Sequence, residues 1–341
     1  MTKVIIQIPC FNEESTLAET IASLPRTLPG VDLIETLVID DGSRDATAAV
    51  ARAAGVNYVL RFPTNQGLAR AFSAGLDAAL KLGAKIIVNT DADNQYSGAD
   101  VGRLIAPILE GQADMVVGDR APHRMRHFGF WKRLLQRSGS WTVRVLSGTS
   151  VPDVTSGFRA FSARAALKLN VLSEFTYTLE TIIQAGKKQI SIAHVRVDAR
   201  EVKRPSRLFP GLSHYVRRSV ATIVRTFALY EPLKFFGSIG VTLVASGLLI
   251  GMRFVWYYVL EGGTGHIQSL ILSAILIIVG FQTLQIALVA DLIGSSRRLV
   301  EDTLLRVRKL ELDLGSPEVD YHDGVVPAPE PATRKAGGRS G

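Results

Sequence analysis

The residues with the clearest chemical potential lie at positions 89–95, which read NTDADNQ and follow the apolar run 86–88. Asp91, Asp93 and Gln95 would place two carboxylates and an amide at the end of a buried strand, and such hard oxygen ligands suit a divalent cation. Ligands of open α/β sheets bind beyond the carboxyl ends of the strands, where a cation could neutralise a phosphorylated substrate. Taken alone, the segment is explained equally well as an acidic turn that caps a helix.

Two further polar loops follow predicted strands, PCFNEE at 9–14 and DDGSRD at 40–45. Each precedes a predicted helix, whose free N–H groups favour anions. Either loop alone could simply be a turn and a helix cap. The two carboxylates of a pair that binds no metal repel each other, however. Two such pairs at neighbouring strand ends therefore indicate a function. One pair can accept hydrogen bonds from a base or a ribose while the other holds a cation.

The elements that must position these loops alternate along the first 200 residues. Apolar or β-branched runs at 4–8, 34–39, 58–62, 86–88 and 115–117 predict strands. Helical patterns at 14–24 and 67–82 lie between them. This alternation predicts an α/β domain with a mostly parallel sheet flanked by helices, in which three polar strand ends share one rim. The first strand lacks the glycine-rich signal of a Rossmann dinucleotide site, and no P-loop lysine motif is present.

Composition indicates which kind of partner and which cellular compartment this domain has. The net charge of +8 over 341 residues indicates an anionic partner such as nucleic acid, phospholipid or a phosphorylated substrate. Cys10 is the single cysteine, so no internal disulfide can form, which fits a reducing compartment. Too few apolar residues precede Pro9 for a signal peptide, and we expect the N-terminal part to remain cytoplasmic.

Five motifs occur in a characteristic order and spacing: IPCFNEE at 8–14, VIDDGSRD at 38–45, NQG at 65–67, DAD at 91–93 and TSGFR at 155–159. Together they resemble the family 2 inverting glycosyltransferases over roughly residues 3–208. Within that family the chain is similar to the polyprenyl-phosphate sugar transferases, which include dolichyl-phosphate mannose synthases and bactoprenol glucosyltransferases. The resemblance implies a GT-A type fold and a nucleotide-sugar donor of the UDP-glucose or GDP-mannose type.

The resemblance also implies roles for individual residues. The residues implied to bind the nucleotide are Pro9, Phe11, Glu13, Asp40, Asp41 and Asp91. Mg²⁺ or Mn²⁺ bridging the diphosphate would contact Asp91, Asp93 and Gln95, and the amide of Gln95 matches the lipid-phosphate group better than the family at large. The sugar pocket would comprise Ser156, Gly157, Phe158 and Glu180. The residues implied to be catalytic are Asp93, Asp153 and Arg200.

A lipid monophosphate acceptor needs cationic positioning more than proton removal, because its second pKa of about 6 leaves it largely ionised near neutral pH. Two basic segments could supply the cations, DRAPHRMRH at 119–127 and REVKRPSRL at 200–208. The candidates for binding the acceptor phosphate are Arg120, Arg124, Arg126, Ser206 and Arg207. The second segment has Arg-Pro-Ser-Arg where the resembled enzymes more commonly have a Gly and a Lys. The segment at 119–127 could also be an ordinary solvated loop.

The remaining chain is typical of a membrane protein. Residues 209–234 combine basic and apolar side chains at helical spacing and predict an amphipathic interfacial helix. Segments 235–260 and 267–293 are long and apolar enough to form a transmembrane hairpin. Residues 294–314 predict an amphipathic cytoplasmic helix, which can pair with another copy in a homo-oligomer or lie on the membrane, and residues 315–341 predict a disordered tail.

Basic residues on both sides of the hairpin, and their absence from the short connection at 261–266, predict cytoplasmic termini. The catalytic domain, residues 1–208, would then lie at the cytoplasmic face of the inner membrane.

The sequence thus predicts transfer of a hexose from a nucleotide sugar to polyprenyl phosphate with inversion. A lipid or glycan hydroxyl acceptor remains an alternative and would require Asp153 or Glu180 as a base. A non-catalytic membrane adaptor is a second alternative. The basic residues cluster at the membrane junction and the catalytic rim, which disfavours nucleic-acid binding.

Overall fold

The computed structural model describes residues 1–120, 148–149, 151–171, 177–198, 224–225, 227–261, 267–314 and 325–327. The chain divides into two compact units. One unit comprises Met1–Pro210 and Leu305–Gly341, and the other comprises Gly211–Leu304.

The first unit contains an eight-stranded sheet in the order β7-β5-β6-β4-β1-β2-β3-β8. Its strands are β1 (Lys3–Cys10), β2 (Leu33–Asp40), β3 (Tyr58–Arg61), β4 (Ile86–Asn89), β5 (Met115–Asp119), β6 (Arg159–Ser162), β7 (Ile192–Arg196) and β8 (Val325–Pro327). Strand β6 runs antiparallel to both β4 and β5, and β8 runs antiparallel to β3. The other pairs are parallel, so the predicted mostly parallel sheet is confirmed.

Six helices among the described residues accompany the sheet: α1 (Leu17–Ser23), α2 (Thr47–Ala53), α3 (Leu68–Lys81), α4 (Asp100–Leu109), α5 (Ala163–Lys168) and α6 (Tyr177–Lys187). Strand β1 is buried at all but its first position, as expected for a central strand covered on both faces. Along the strand, Val4 and Ile6 belong to one core cluster and Ile8 and Cys10 to another. The centre of the sheet therefore holds the strand ends in fixed positions.

The five strands predicted from the sequence are all present, and their bounds differ from the prediction by at most two residues. Strands β6 and β7 were not predicted. Strand β8 lies within the predicted disordered tail, so for Val325–Pro327 that prediction is wrong: these three residues pair with the edge strand β3. An exposed strand edge has unpaired backbone N–H and C=O groups, and β8 forms hydrogen bonds with some of these groups on β3.

The second unit contains α7 (Pro232–Glu261) and most of α8 (Ile267–Asp313). Both helices are long and apolar enough to cross a membrane, and 18-residue stretches within them have mean hydropathies of 1.9 and 2.2. The sequence predicted separate helices at 267–293 and 294–314, but α8 is continuous over both segments because neither Pro nor a cap interrupts it. Of the predicted interfacial helix, residues 209–223 and 226 lie outside the described residues.

Small residues bring α7 and α8 together. Ser273, Gly280 and Ala287, spaced by seven residues, are the buried positions of α8. A Cβ atom on Gly280 would lie 2.8 Å from the Val244 nitrogen, and the Ser273 hydroxyl donates to the Gly247 carbonyl at 2.7 Å. Such close backbone approach is typical of helix pairs in membranes, where packing and hydrogen bonds replace the hydrophobic effect.

Candidate active site

The polar loops after β1, β2 and β4 lie together because these three strands are neighbours in the order β4-β1-β2 and run parallel. The loop after β1 is fixed to the loop after β2 by hydrogen bonds in both directions. The Asn12 N–H donates to the Ser43 hydroxyl at 2.9 Å, and the Arg44 N–H donates to the Asn12 side chain at 2.9 Å. Asn12 adopts a φ of 56°, a left-handed conformation that asparagine tolerates better than most residues.

This arrangement places three of the predicted nucleotide-binding residues. Pro9 lies within β1 opposite Ile39, so it belongs to the buried sheet. Phe11 follows shortly after and is 38% exposed at the rim. The Glu13 N–H donates to the Thr47 hydroxyl at 2.8 Å and its carboxylate accepts from Thr16, so Glu13 is anchored to α1 and α2. The exposed ring of Phe11 is a surface on which a planar base can stack.

The two aspartates after β2 have different environments. Asp40 is fully buried, accepts the Ser43 N–H at 2.9 Å and lies 3.1 Å from Arg61, so it shapes the turn. Asp41 accepts the N–H groups of Gln66 and Gly67 at 2.7 and 2.9 Å. Burial raises the pKa of Asp41 above its usual value, although both N–H donors oppose the shift. Asp41 therefore joins the NQG motif to the DDGS motif.

The acidic motif after β4 places Asp91, Asp93 and Gln95 beside one another in half-buried positions. The Gln95 N–H donates to the Asp93 carboxylate at 3.1 Å, and Asn94 adopts a φ of 55°. Burial and the nearby Asp93 carboxylate raise the pKa of Asp91 to about 7. The positive charges of Arg120 and Arg159 oppose this rise of the Asp91 pKa but do not cancel it.

A buried hydrogen-bond network lies behind Asp91, and the sequence did not reveal it. Gln7 on β1 donates to the Asn89 side chain at 2.9 Å. Asn89 in turn donates to the Gly157 carbonyl at 2.8 Å and to the Tyr177 hydroxyl at 2.9 Å. Tyr177 stacks on Phe72 of α3 with ring centroids 3.9 Å apart. The network fixes the TSGFR motif against the end of β4.

Gly157 leaves no room for a side chain next to Asp91. A Cβ atom at this position would lie 2.7 and 2.8 Å from the two Asp91 carboxylate oxygens and 3.0 Å from the Tyr177 hydroxyl. The glycine therefore allows the carboxylate to occupy its position, and this is the physical reason for Gly in TSGFR. Its neighbour Phe158 is buried and stacks on Tyr96 at 4.9 Å, while Ser156 is fully buried.

Arg159, the last residue of TSGFR, is fully buried and bonds neutral oxygens within the described part of the chain. Its guanidinium donates to the carbonyls of Ser156, Val154 and Thr178 at 2.8 to 2.9 Å and to the Thr181 hydroxyl at 2.5 Å. Burial lowers the pKa of Arg159 to about 10. Arg159 thus connects the site loop to α6 and contributes positive charge near Asp91.

Arg120 and Asp153 form a bidentate ion pair. Arg120 donates from Nε to Asp153 Oδ2 at 2.8 Å and from Nη2 to Oδ1 at 3.1 Å, and it also donates to the Thr155 hydroxyl at 2.9 Å. Asp153 is 1% exposed. Burial alone would raise the pKa of Asp153, but its bonds to Arg120 and Thr155 hold that pKa below the usual value. Asp153 is consequently a weak base that orients Arg120.

Glu180, which the sequence could also explain as a surface residue of a helix, is 8% exposed on α6. Gln184 donates to its carboxylate at 3.2 Å. Its side chain therefore does not belong to an exposed helix surface. The remaining predicted site residues, Arg124, Arg126, Arg200, Ser206 and Arg207, lie outside the described residues.

Asp91 and Asp93 fit a divalent cation. Within the described ranges, no three His, Cys, Asp or Glu side chains are close enough to hold a metal by themselves. Mg²⁺ commonly uses one or two carboxylates and takes its other ligands from substrate phosphates and water. The raised pKa of Asp91 and the position that Gly157 allows its carboxylate to occupy match such a site, in which a cation would compensate two adjacent carboxylates.

Comparison with known proteins gives consistent results. The profile of glycosyl transferase family 2 matches residues 5–169. An undecaprenyl-phosphate mannosyltransferase of Micrococcus luteus is 32% identical over 167 residues, which are 47% of this chain and 67% of that protein. Glycosyltransferase AglJ of Haloferax volcanii is 26% identical over 318 residues, which are 90% of this chain and 98% of that protein.

A solved structure shows the same fold. Glucosyl-3-phosphoglycerate synthase of Mycobacterium tuberculosis, crystallised with Mn²⁺, UDP and glucosyl-3-phosphoglycerate, superposes with a TM-score of 0.52 at 22% identity. The match covers 67% of this chain and 79% of that one. The likeness establishes a GT-A type α/β fold for the first unit.

Proposed function

Because the chain belongs to glycosyl transferase family 2, we propose that it transfers one hexose from a nucleotide sugar to a polyprenyl phosphate, with inversion at the anomeric carbon. The name of the Micrococcus luteus relative supports a lipid-phosphate acceptor, and the UDP complex of the structural neighbour supports a nucleotide donor. The donor is of the UDP-glucose or GDP-mannose type.

The observation that carries the choice of acceptor is the Arg120–Asp153 ion pair. A hydroxyl acceptor needs a general base in the transition state, and Asp153 is buried, paired and held at a low pKa. An ionised phosphate oxygen is already a nucleophile and needs positive charge to position it. Arg120, oriented by Asp153 and Thr155, can provide that charge near Asp91.

The donor half of the site follows from the rim loops. Phe11 would stack on the base, and the loops joined through Asn12 and Asp41 would hold the nucleoside. Asp91 and Asp93 would hold Mg²⁺ or Mn²⁺ on the diphosphate. When bound, the cation supplies Lewis-acid stabilisation of the departing nucleoside diphosphate.

The membrane placement is part of the proposal. We place α7 and α8 across the inner membrane with the catalytic unit and both termini on the cytoplasmic side. Lys234 precedes the apolar stretch of α7, and Arg297 and Arg298 follow the apolar stretch of α8, which satisfies the positive-inside rule. A polyprenyl phosphate in the cytoplasmic leaflet would then share one side of the bilayer with a water-soluble donor.

Purified protein tests this proposal when it is incubated with Mn²⁺, undecaprenyl phosphate and radiolabelled nucleotide sugars presented one at a time. We expect organic-extractable label with one donor, and no label with Asp93→Asn, whose fold is checked by circular dichroism. Asn retains the size of Asp but lacks the charge needed for the cation. Extractable label with none of the common donors, or full activity of Asp93→Asn, would contradict the proposal.

A further inference from the structure

The segment of α8 beyond the apolar span carries an unusual apolar face. Residues 297–314 include nine charged side chains, and yet Val300, Val307 and Leu310 of α8 and Leu314 directly after it are 67, 45, 59 and 83% exposed. Large exposed apolar side chains in a charged helix indicate a contact surface. These four residues and Thr303 are here named the seam.

The seam follows a heptad. Val300, Val307 and Leu314 recur every seven residues, and Thr303 and Leu310 lie three residues after the first two. The first three residues are thus a positions of a heptad, and Thr303 and Leu310 are d positions. Two of the a positions carry β-branched Val, and one d position carries Leu. That choice favours parallel two-stranded coiled coils.

The opposite face of the same helix already has partners within the chain. Arg308 donates to the Asn170 side chain at 2.8 Å and to the Leu169 carbonyl at 3.3 Å. Glu301 accepts from Arg297 at 3.0 Å, and Leu305 and Leu312 are half-buried. The helix therefore has one face bound to its own chain and the seam facing outward.

We propose that the seam pairs with the seam of a second copy of this chain in a parallel two-stranded coiled coil. Charge complementarity supports this partner. Arg306 occupies a g position and Glu311 the e position five residues later, so in a parallel pair each Arg306 faces the partner's Glu311. Leu299 and Leu304 occupy the preceding g and e positions and extend the apolar contact.

Membrane placement fixes the orientation of the pair. Two copies inserted in the same bilayer have the same orientation across it, so their α8 helices run parallel. The pairing of Arg306 at g with the partner's Glu311 at e requires this parallel arrangement. Residues 299–313 belong to the continuous helix α8 and account for about 22 Å of its length. Two heptads are short for an isolated coiled coil, but here the helix is preformed and confinement to a bilayer raises the local concentration.

Disulfide crosslinking of full-length protein in membranes tests this pairing. Val307→Cys places a thiol at an a position, and Lys309→Cys places one at an exposed position outside the seam as the matched control. The native Cys10 is buried. Under mild oxidation we expect a covalent dimer with Val307→Cys and monomer with Lys309→Cys. Monomer with both variants, or equal dimer with both, would overturn the proposal.

Charge reversal tests the partner and the register. Two variants are made, Arg306→Glu and Glu311→Arg, each combined with Val307→Cys. A homodimer of either variant has like charges at the paired positions, whereas a mixed dimer with one copy of each variant has opposite charges there. When the two tagged variants are co-expressed, we expect mixed dimers to exceed either homodimer about five-fold. A random distribution of mixed and matched dimers would overturn the parallel pairing. Transferase activity is measured separately, so loss of pairing is distinguishable from loss of the proposed function.

Discussion

At the scale of single residues, the acidic and aromatic side chains that face the rim could be predicted from the sequence, and those that hold them could not. Asp91 and Asp93 follow a short apolar run, so their place at a strand end is visible locally. Asn89 is also at that strand end, but its partners Gly157 and Tyr177 are 68 and 88 residues away. Buried amides with distant partners resemble ordinary polar residues until the fold brings them together.

The raised pKa of Asp91 predicts a pH-dependent effect of the cation. Its carboxyl binds a proton more tightly in the folded protein, with a pKa of about 7, than in the unfolded chain. Its contribution to folding stability is therefore present below the unfolded pKa and is lost as pH rises towards 7. A bound cation restores this loss, so Mn²⁺ should raise the Tm more at pH 8 than at pH 6. Thermal unfolding with and without Mn²⁺ at both pH values measures this difference, and the ionised fraction predicts about ten-fold tighter Mn²⁺ binding at pH 8.

Asp91→Asn is the control for that measurement. The variant should lose the pH dependence of the Mn²⁺-induced shift, because the amide does not titrate. Equal shifts at pH 6 and pH 8 in the unmodified protein would show that Asp91 does not control cation binding.

Asp153→Asn separates a positioning role from a catalytic base. If Asp153 orients Arg120, the variant should raise the KM for polyprenyl phosphate several-fold and retain kcat within about ten-fold, because the nucleophile is already ionised. If Asp153 removes a proton, kcat itself should fall by roughly 10² to 10⁴. Steady-state kinetics with the lipid as the varied substrate distinguish the two outcomes.

At the scale of elements, the parallel part of the sheet was predictable because each strand is a compact apolar run. Strand β6 was not, since its four residues contain a buried arginine and it begins at the last residue of the TSGFR motif, whose residues were assigned to a sugar pocket. Its antiparallel insertion between β4 and β5 brings Gly157 next to Asp91. The TSGFR motif thus has a structural explanation in addition to its predicted place in a sugar pocket.

Gly157→Ala tests this element directly. The added Cβ would meet both Asp91 carboxylate oxygens, so the carboxylate or the loop must shift. We expect transfer activity to fall by about 100-fold, because displacement of a catalytic group by about 1 Å has effects of this size. Gly237→Ala, where a Cβ meets no atom within 4 Å, is the matched control and should retain activity. Unchanged activity of Gly157→Ala at an unchanged Tm would contradict the close packing.

At the scale of the whole molecule, hydropathy predicted the two apolar segments correctly, whereas the seven-residue spacing of small residues in α8 was missed. Ser273, Gly280 and Ala287 are inconspicuous in an apolar sequence, and only the packed hairpin shows that they form one face. The continuity of α8 beyond the span was also missed, because the change from apolar to charged composition was interpreted as a boundary between elements.

Cysteine accessibility tests the proposed orientation. Thr264→Cys, in the connection between the two helices, should react with a membrane-impermeant maleimide on intact spheroplasts. Lys309→Cys should react only after the membrane is opened. The charge distribution predicts this pattern because the connection at 261–266 lacks Lys and Arg. The reverse pattern would place the catalytic unit on the opposite side of the membrane.

The choice between phosphate and hydroxyl acceptors is the central claim, and one competition experiment tests it most directly. The donor that gives extractable label is supplied with equal amounts of undecaprenyl phosphate and undecaprenol, and the products are separated by charge and identified by mass spectrometry. The account predicts a sugar phosphodiester as the sole lipid product, formed at a rate that undecaprenol does not change. A neutral glycosyl undecaprenol as the main product would contradict it.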